Sequence, residues 1–271
     1  MTNTRIVRTR NIGKRLIGRR AGRRGLGLGL AALVTLTAAC SGQSTASEPS
    51  PGADTSGPGL SKVLLLGDSV AVGQALPMSA AFEAGGVAFE SAASTGGGNV
   101  VGPFSDEQWK KLPEQISSAG ADAVVYQLTT YDWGTRQEQR AGYEKLLATV
   151  TDAGARLVFV TMPPIKAGDF YKPHMAELKS APEVARAVAA GSSGKADFLD
   201  ASAVWGSTYQ RVKDGKADRS SDGIHTCPQG AARFTSWLLT ELAELFPGFT
   251  PPDPRSWANT GWSASKTFKG C

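Results

Sequence analysis

The stretch Lys62-Val63-Leu64-Leu65-Leu66-Gly67-Asp68-Ser69-Val70 decides the fold. A short apolar run bounded by turn residues reads as a buried β-strand, and this one stops at a Gly-Asp-Ser turn. In open α/β sheets ligands sit beyond the carboxyl ends of the strands, which places Ser69 where chemistry occurs. A serine hydroxyl alone is not a nucleophile. It needs a base to take its proton and a third group to hold that base.

Further runs at Val87 to Phe89, Ala123 to Leu128, Leu157 to Thr161 and Phe198 to Leu199 repeat the strand pattern, giving five strands in all. Helical segments lie between them. Ser105 with Gln108, Thr135 with Glu138, and Thr226 with Gln229 have the spacing of a capping box. The second opens a helix with Tyr143, Leu146, Leu147 and Val150 on one side, ended by Gly154. The last helix starts near Pro228 and runs to about Phe246, with Phe234, Trp237, Leu238, Leu242 and Leu245 at core spacing. Strand alternating with helix predicts a parallel sheet covered by helices on both faces.

The 271 residues divide into four segments. Residues 1–40 hold eight arginines and one lysine without an acidic residue, then the apolar run Leu26 to Val34 and a small-residue stretch ending at Cys40. This is an export signal, too short in its apolar part for a membrane span, which takes about 20 residues. Arg23-Arg24-Gly25-Leu26 has the look of a twin-arginine signal. Leu36-Thr37-Ala38-Ala39-Cys40 resembles a bacterial lipobox, with leucine one place early, so Cys40 is either lipidated or lies near an ordinary cleavage site. Residues 41–60, rich in Ser, Gly, Pro and Thr, form a flexible linker. Residues 61–250 form the folded domain, and residues 251–271 a Pro- and Trp-rich tail.

Of 29 basic residues nine lie in the signal, which leaves 20 against 24 acidic ones, a net charge of −4. Without a basic run the exported portion has no means of binding nucleic acid. Three cysteines are present; if Cys40 carries lipid, Cys227 and Cys271 remain as a pair in an oxidising setting, where a disulfide would tie the tail to the body.

The chain has two histidines, His174 and His225. His225 stands in Ser221-Asp222-Gly223-Ile224-His225-Thr226, just before the last helix. An Asp three residues ahead of a His on a glycine-containing loop can accept the Nδ1 proton and aim Nε2 outward, the tautomer a base for serine requires.

Gly67-Asp68-Ser69 after the first strand, with Asp222-Gly223-Ile224-His225 ahead of a C-terminal helix, resembles the SGNH (GDSL-type) hydrolase superfamily over roughly residues 61–248. The resemblance implies a flavodoxin-like three-layer α/β/α sandwich and ester chemistry, with Ser69 as nucleophile, His225 as base and Asp222 orienting it. It also implies an oxyanion hole built from the Ser69 N–H, a glycine N–H and an asparagine side chain. The glycine falls in Ser94-Thr95-Gly96-Gly97-Gly98-Asn99, with Gly96 the first choice. Where the family has Gly-x-Asn-Asp, this chain reads Thr129-Thr130-Tyr131-Asp132, so the third donor is Tyr131, a threonine hydroxyl, or absent. Such departures, and Asp-Gly-Ile-His-Thr-Cys-Pro, resemble SGNH domains associated with membrane acyltransferases that modify extracellular glycans.

Asp68 is expected to hold its turn by hydrogen bonds. Asp132 is either a substrate contact or a solvated carboxylate, and His174 a helix-start residue or minor substrate contact. There is no metal-ligand spacing, no Gly-Lys-Ser/Thr phosphate loop and no sign of a cofactor. Three functions follow for an exported, lipid-anchored or secreted protein: a hydrolase acting on an acylated substrate such as an O-acetylated envelope glycan, an O-acyltransferase domain working with a membrane partner, or a non-catalytic envelope-binding protein.

Overall fold

A computed structural model describes residues 59–271. The export signal, Cys40 and nearly all of the linker lie outside the described residues. Five strands, β1 (Lys62–Leu66), β2 (Ala88–Ser91), β3 (Ala123–Gln127), β4 (Arg156–Val160) and β5 (Ala196–Leu199), form one parallel sheet in the order β2-β1-β3-β4-β5. The helices are α1 (Ser69–Ala84), α2 (Ser105–Trp109), α3 (Leu112–Ala119), α4 (Arg136–Asp152), α5 (Met175–Ala190), α6 (Ser202–Trp205) and α7 (Pro228–Leu245). A small antiparallel hairpin, β6 (Val212–Lys213) with β7 (Lys216–Ala217), precedes the last helix. This is the expected three-layer α/β/α sandwich.

The side-chain alternation of the strands builds two cores. Val63, Leu65, Val125, Val158 and Val160 face α1, α7 and the tail, while Leu64, Leu66, Val124, Tyr126, Leu157 and Phe159 face α3, α4 and α5. Burial on both faces is why these strands read as continuous apolar runs. The strand order reverses between β1 and β3, so the chain leaves the sheet in opposite directions from adjacent strand ends and opens a crevice there. Ser69 is the first residue after β1 to enter that crevice.

Of the three capping boxes, only Thr135 with Glu138 forms, each side chain bonding the other's backbone N–H. Ser105 is already inside α2 and donates to the Gly102 carbonyl at 2.8 Å. Thr226 gives way to Cys227 as the N-cap of α7, and the Gln229 amide reaches the Lys213 carbonyl instead. For Ser105 the competing partner is itself local, three residues back; for Gln229 it is a carbonyl of the β6–β7 hairpin.

The tail runs as an irregular strap with two short 3-10 turns. Trp257 is 1% exposed within the core against α1 and α7, and the Trp262 indole donates to the Trp257 carbonyl at 3.0 Å. At its end, Cys271 is disulfide-bonded to Cys227, the Ser221 N–H donates to Gly270 O at 2.9 Å, and the Ser220 hydroxyl donates to Lys269 O at 2.7 Å. No helix among the described residues is long and apolar enough to cross a membrane.

Closing 44 residues of chain restricts the unfolded ensemble by about 4 kcal/mol in the chain-entropy treatment. Cys271→Ser is expected to lose about 2–4 kcal/mol, read as a lowered denaturant midpoint; an unchanged midpoint would show that the strap holds by packing alone.

Candidate active site

Asp68 is the N-cap of α1, and its carboxylate accepts the Val70 N–H at 2.9 Å. Its other oxygen accepts the Thr130 N–H and hydroxyl, both at 2.7 Å, which binds the turn after β1 to the loop after β3. Burial raises the Asp68 carboxyl above its ordinary range, against the lowering effect of these hydrogen bonds and of the nearby His225. Asp68 therefore holds the turn and faces no solvent. Ser69 follows as the first residue of α1, where a backbone N–H has no partner within the helix.

His225 comes from the loop before α7. Its Nε2 lies 2.8 Å from Ser69 Oγ and its Nδ1 2.8 Å from Asp222 Oδ2. Asp222 Oδ1 also accepts the backbone N–H groups of Ile224, at 2.7 Å, and His225, at 3.0 Å. Partial burial pushes the Asp222 carboxyl up, but the hydrogen bonds from the His225 ring and these two N–H groups outweigh it and bring the pKa down to about 2. An ionised Asp222 requires the proton on Nδ1, leaving the Nε2 lone pair for the Ser69 hydroxyl. His225 and Asp222 side chains are 40% and 44% exposed, so a substrate can reach the pair. The structure thus joins Ser69, His225 and Asp222 in one hydrogen-bonded line.

Within the glycine run, Gly96 is not the residue that lies closest to the serine turn. A Cβ on Gly96 would meet nothing within 4 Å, whereas one on Gly98, whose φ is +84°, would collide with the Gly67 carbonyl. Gly98 is therefore the glycine pressed against the serine turn. Asn99 turns away, its amide donating to the carbonyls of Val101 and Pro103.

Asp132 is neither a substrate contact nor solvated. It is fully buried and accepts the hydroxyls of Tyr126 at 2.7 Å, Thr129 at 3.0 Å and Tyr143 at 3.0 Å, with the Thr129 N–H at 3.2 Å. Burial lifts its pKa to about 7 despite those donors. It folds the loop that presents Tyr131. The Tyr131 ring is half-buried beside Phe104, at 5.6 Å, and Phe170, at 6.3 Å. These are two of the few large apolar side chains left exposed, at 54% and 58%. Burial raises the Tyr131 hydroxyl well above its ordinary value, helped by Tyr171 and by the charge of Asp68, so it stays protonated and able to donate.

His174, the N-cap of α5, stacks flat on Trp133 at 3.6 Å and bonds Glu177 at 2.9 Å. Both line a cleft of about 580 Å³ that neither Ser69 nor His225 borders; His174 stands away from the line of three. No group of His, Cys, Asp and Glu suited to a metal ion occurs among the described residues. Phe104 and Phe170 are not singled out by sequence, because nothing local distinguishes them, and Thr130 enters there only as a possible donor, not as the partner of Asp68.

No family model and no curated protein matches the chain. Solved structures do. A Bacteroides ovatus protein described as a GDSL-like lipase is 15% identical with a TM-score of 0.52, covering 72% of this chain; the match spans only 56% of that protein. A carbohydrate esterase family 3 protein from Talaromyces cellulolyticus is 16% identical with a TM-score of 0.51, covering 70% of this chain and 100% of that one. An acetylxylan esterase from Geobacillus stearothermophilus is 13% identical with a TM-score of 0.50, covering 67% and 94%.

Two measurements probe this geometry. Gly98→Ala is expected to displace the serine turn and lower thermal stability, while Gly96→Ala, with open space around it, leaves stability within about 0.5 kcal/mol; equal effects would refute the register. Because the folded pKa of Asp132, about 7, exceeds its unfolded value, the folded state holds the extra proton between about pH 4 and 7. The stabilisation present below pH 4 is therefore lost as pH rises through 7. Asp132→Asn should flatten that slope in denaturation midpoints taken at pH 4.5 and 7.5.

Proposed function

We propose, from the SGNH hydrolase fold that this chain shares with these structures, that it is an exported serine esterase acting through an acyl-enzyme. The single observation that carries this is the hydrogen-bonded line Ser69–His225–Asp222. As Ser69 Oγ attacks the ester carbonyl carbon, its proton passes to His225 Nε2, and Asp222 balances the imidazolium that forms. His225 then returns the proton to the departing alkoxide oxygen. Water, deprotonated by His225, attacks the acyl-Ser69 carbonyl; as the bond to Ser69 Oγ breaks, His225 returns the proton to that oxygen, and the carboxylic acid leaves with the Ser69 hydroxyl restored.

The oxyanion that forms twice along this route takes the Ser69 N–H at the start of α1 and the Gly98 N–H, in place of Gly96. The Tyr131 hydroxyl stands in for the asparagine side chain. A missing donor of this kind costs about 10²- to 10³-fold in rate, so a protonated phenol beside the turn matters. Asp222 stays ionised down to about pH 2, so its carboxylate is available to balance the imidazolium.

The substrate we propose is an O-acylated glycan of the cell envelope. Phe104, Tyr131 and Phe170 set apolar ring surface next to polar hydroxyls, which suits a sugar ring with its apolar faces and polar rim, and two of the similar structures are named for carbohydrate esters. The export signal, with lipidation at Cys40 or simple secretion, would bring the enzyme to that substrate.

The test is acetate release from O-acetylated glycan by the full chain, with and without an added sugar acceptor. Ser69→Ala and His225→Ala are each expected to lower kcat by about 10⁴-fold or more. Acetate passed to the acceptor instead of water would make the protein an acyltransferase. A folded protein with no turnover and a His225→Ala variant indistinguishable from it would leave only the binding-protein reading.

A further inference from the structure

Arg219 is 2% exposed, a guanidinium taken almost wholly out of water. Burying a cation costs several kcal/mol unless its hydrogen bonds are replaced. No carboxylate bonds Arg219 among the described residues: its neighbour Asp218 is taken by Arg233, at 3.1 and 2.9 Å. Burial brings the Arg219 pKa down to about 10, opposed by Tyr209, Asp218 and Asp222. The side chain instead donates to three carbonyls. Nη2 reaches Ile224 O at 2.6 Å, Nε reaches His225 O at 3.3 Å, and Nη1 reaches Pro164 O at 2.7 Å.

Two of those carbonyls belong to His225 and the residue before it; the third belongs to the loop after β4. That loop is tied to the same segment by the Lys166 N–H on Gly223 O at 2.9 Å, and its Ile165 packs with Val70, the residue after the serine. The backbone of Arg219 bridges antiparallel to Thr226, and Ser220 N–H donates to His225 O at 2.9 Å. A neutral side chain could fill the volume, but only a planar fork with several N–H groups spans three carbonyls at once.

We propose that Arg219 is the positioning residue of the His225 base: its guanidinium clamps the backbone on both sides of the imidazole to the β4 loop and so keeps Nε2 in reach of Ser69. The inference rests on the proposed role of His225. It assigns Arg219 no contact with substrate. Its effect is on the rate of Ser69 activation, because misplacement of a reacting group by about 1 Å can cost about 10²-fold.

The experiment compares Arg219→Met and Arg219→Lys in the full chain. It measures kcat and KM on 4-nitrophenyl acetate, thermal unfolding, and the downfield NMR resonance of the His225 Nδ1 proton bonded to Asp222. Arg219→Met is expected to fold with a lower Tm, lose about 10²-fold in kcat with KM within threefold, and broaden or lose the resonance. Arg219→Lys keeps the charge but not the fork and should recover only part of the rate. A folded Arg219→Met with kcat within twofold of the parent and an unchanged resonance overturns the proposal. If Arg219→Met does not fold, Arg219→Lys decides: a rate equal to the parent's overturns it, a fall in kcat at constant KM supports it. If the parent itself shows no turnover, the esterase reading fails, and the Nδ1 resonance alone then reports whether Arg219 orders His225.

Discussion

The hydrogen bond between Ser69 Oγ and His225 Nε2, 2.8 Å long across 156 residues of sequence, is the constraint on which the remaining structure depends. It exists only if the end of β1 and the loop before α7 meet, and each end is separately fixed. On the serine side, Asp68 caps α1 and ties the turn to Thr130. On the histidine side, Asp222 folds its own loop with two backbone N–H groups before it holds the imidazole. The sheet order β2-β1-β3-β4-β5 supplies the crevice in which the two ends face each other.

Three buried polar groups organise the crevice without facing solvent. Asp68, Asp132 and Arg219 are each nearly free of exposure, and each spends its hydrogen bonds on loop backbone or on hydroxyls that fix a loop. Burial is unfavourable for all three, as the directions of their pKa shifts state. That cost is offset by specifying loops that carry no apolar core of their own. The disulfide and the strap of residues 268–271 add a covalent restraint beside Asp222, from the outer side of the same loop.

The fold was legible because buried parallel strands leave apolar runs such as Val63 to Leu66 that need no context, and because Ser69 and the Asp222-to-His225 segment carry their own local geometry. What was not legible depended on distance. The register of Gly96, Gly97 and Gly98 is decided by the approach of the Gly67 carbonyl, which no property of the three residues encodes. Asp132 looked like a loop carboxylate because Tyr126 and Tyr143, which bury it, come from β3 and α4. Gln229 has capping spacing from Thr226, but its amide is drawn to the Lys213 carbonyl of the hairpin; Ser105 is the exception, its hydroxyl turning to Gly102 three residues back. Arg219 has no signature in sequence at all, since its partners are backbone carbonyls.

The most direct measurement is fluorophosphonate labelling of the full chain, with the modified residue mapped by mass spectrometry and His225→Ala as the control. Covalent capture of Ser69 alone, slowed at least about 10²-fold in His225→Ala, is the result that the hydrogen-bonded line Ser69–His225–Asp222 predicts. Absence of label on a folded protein, or equal labelling in the control, would contradict it and show a serine that the imidazole does not activate.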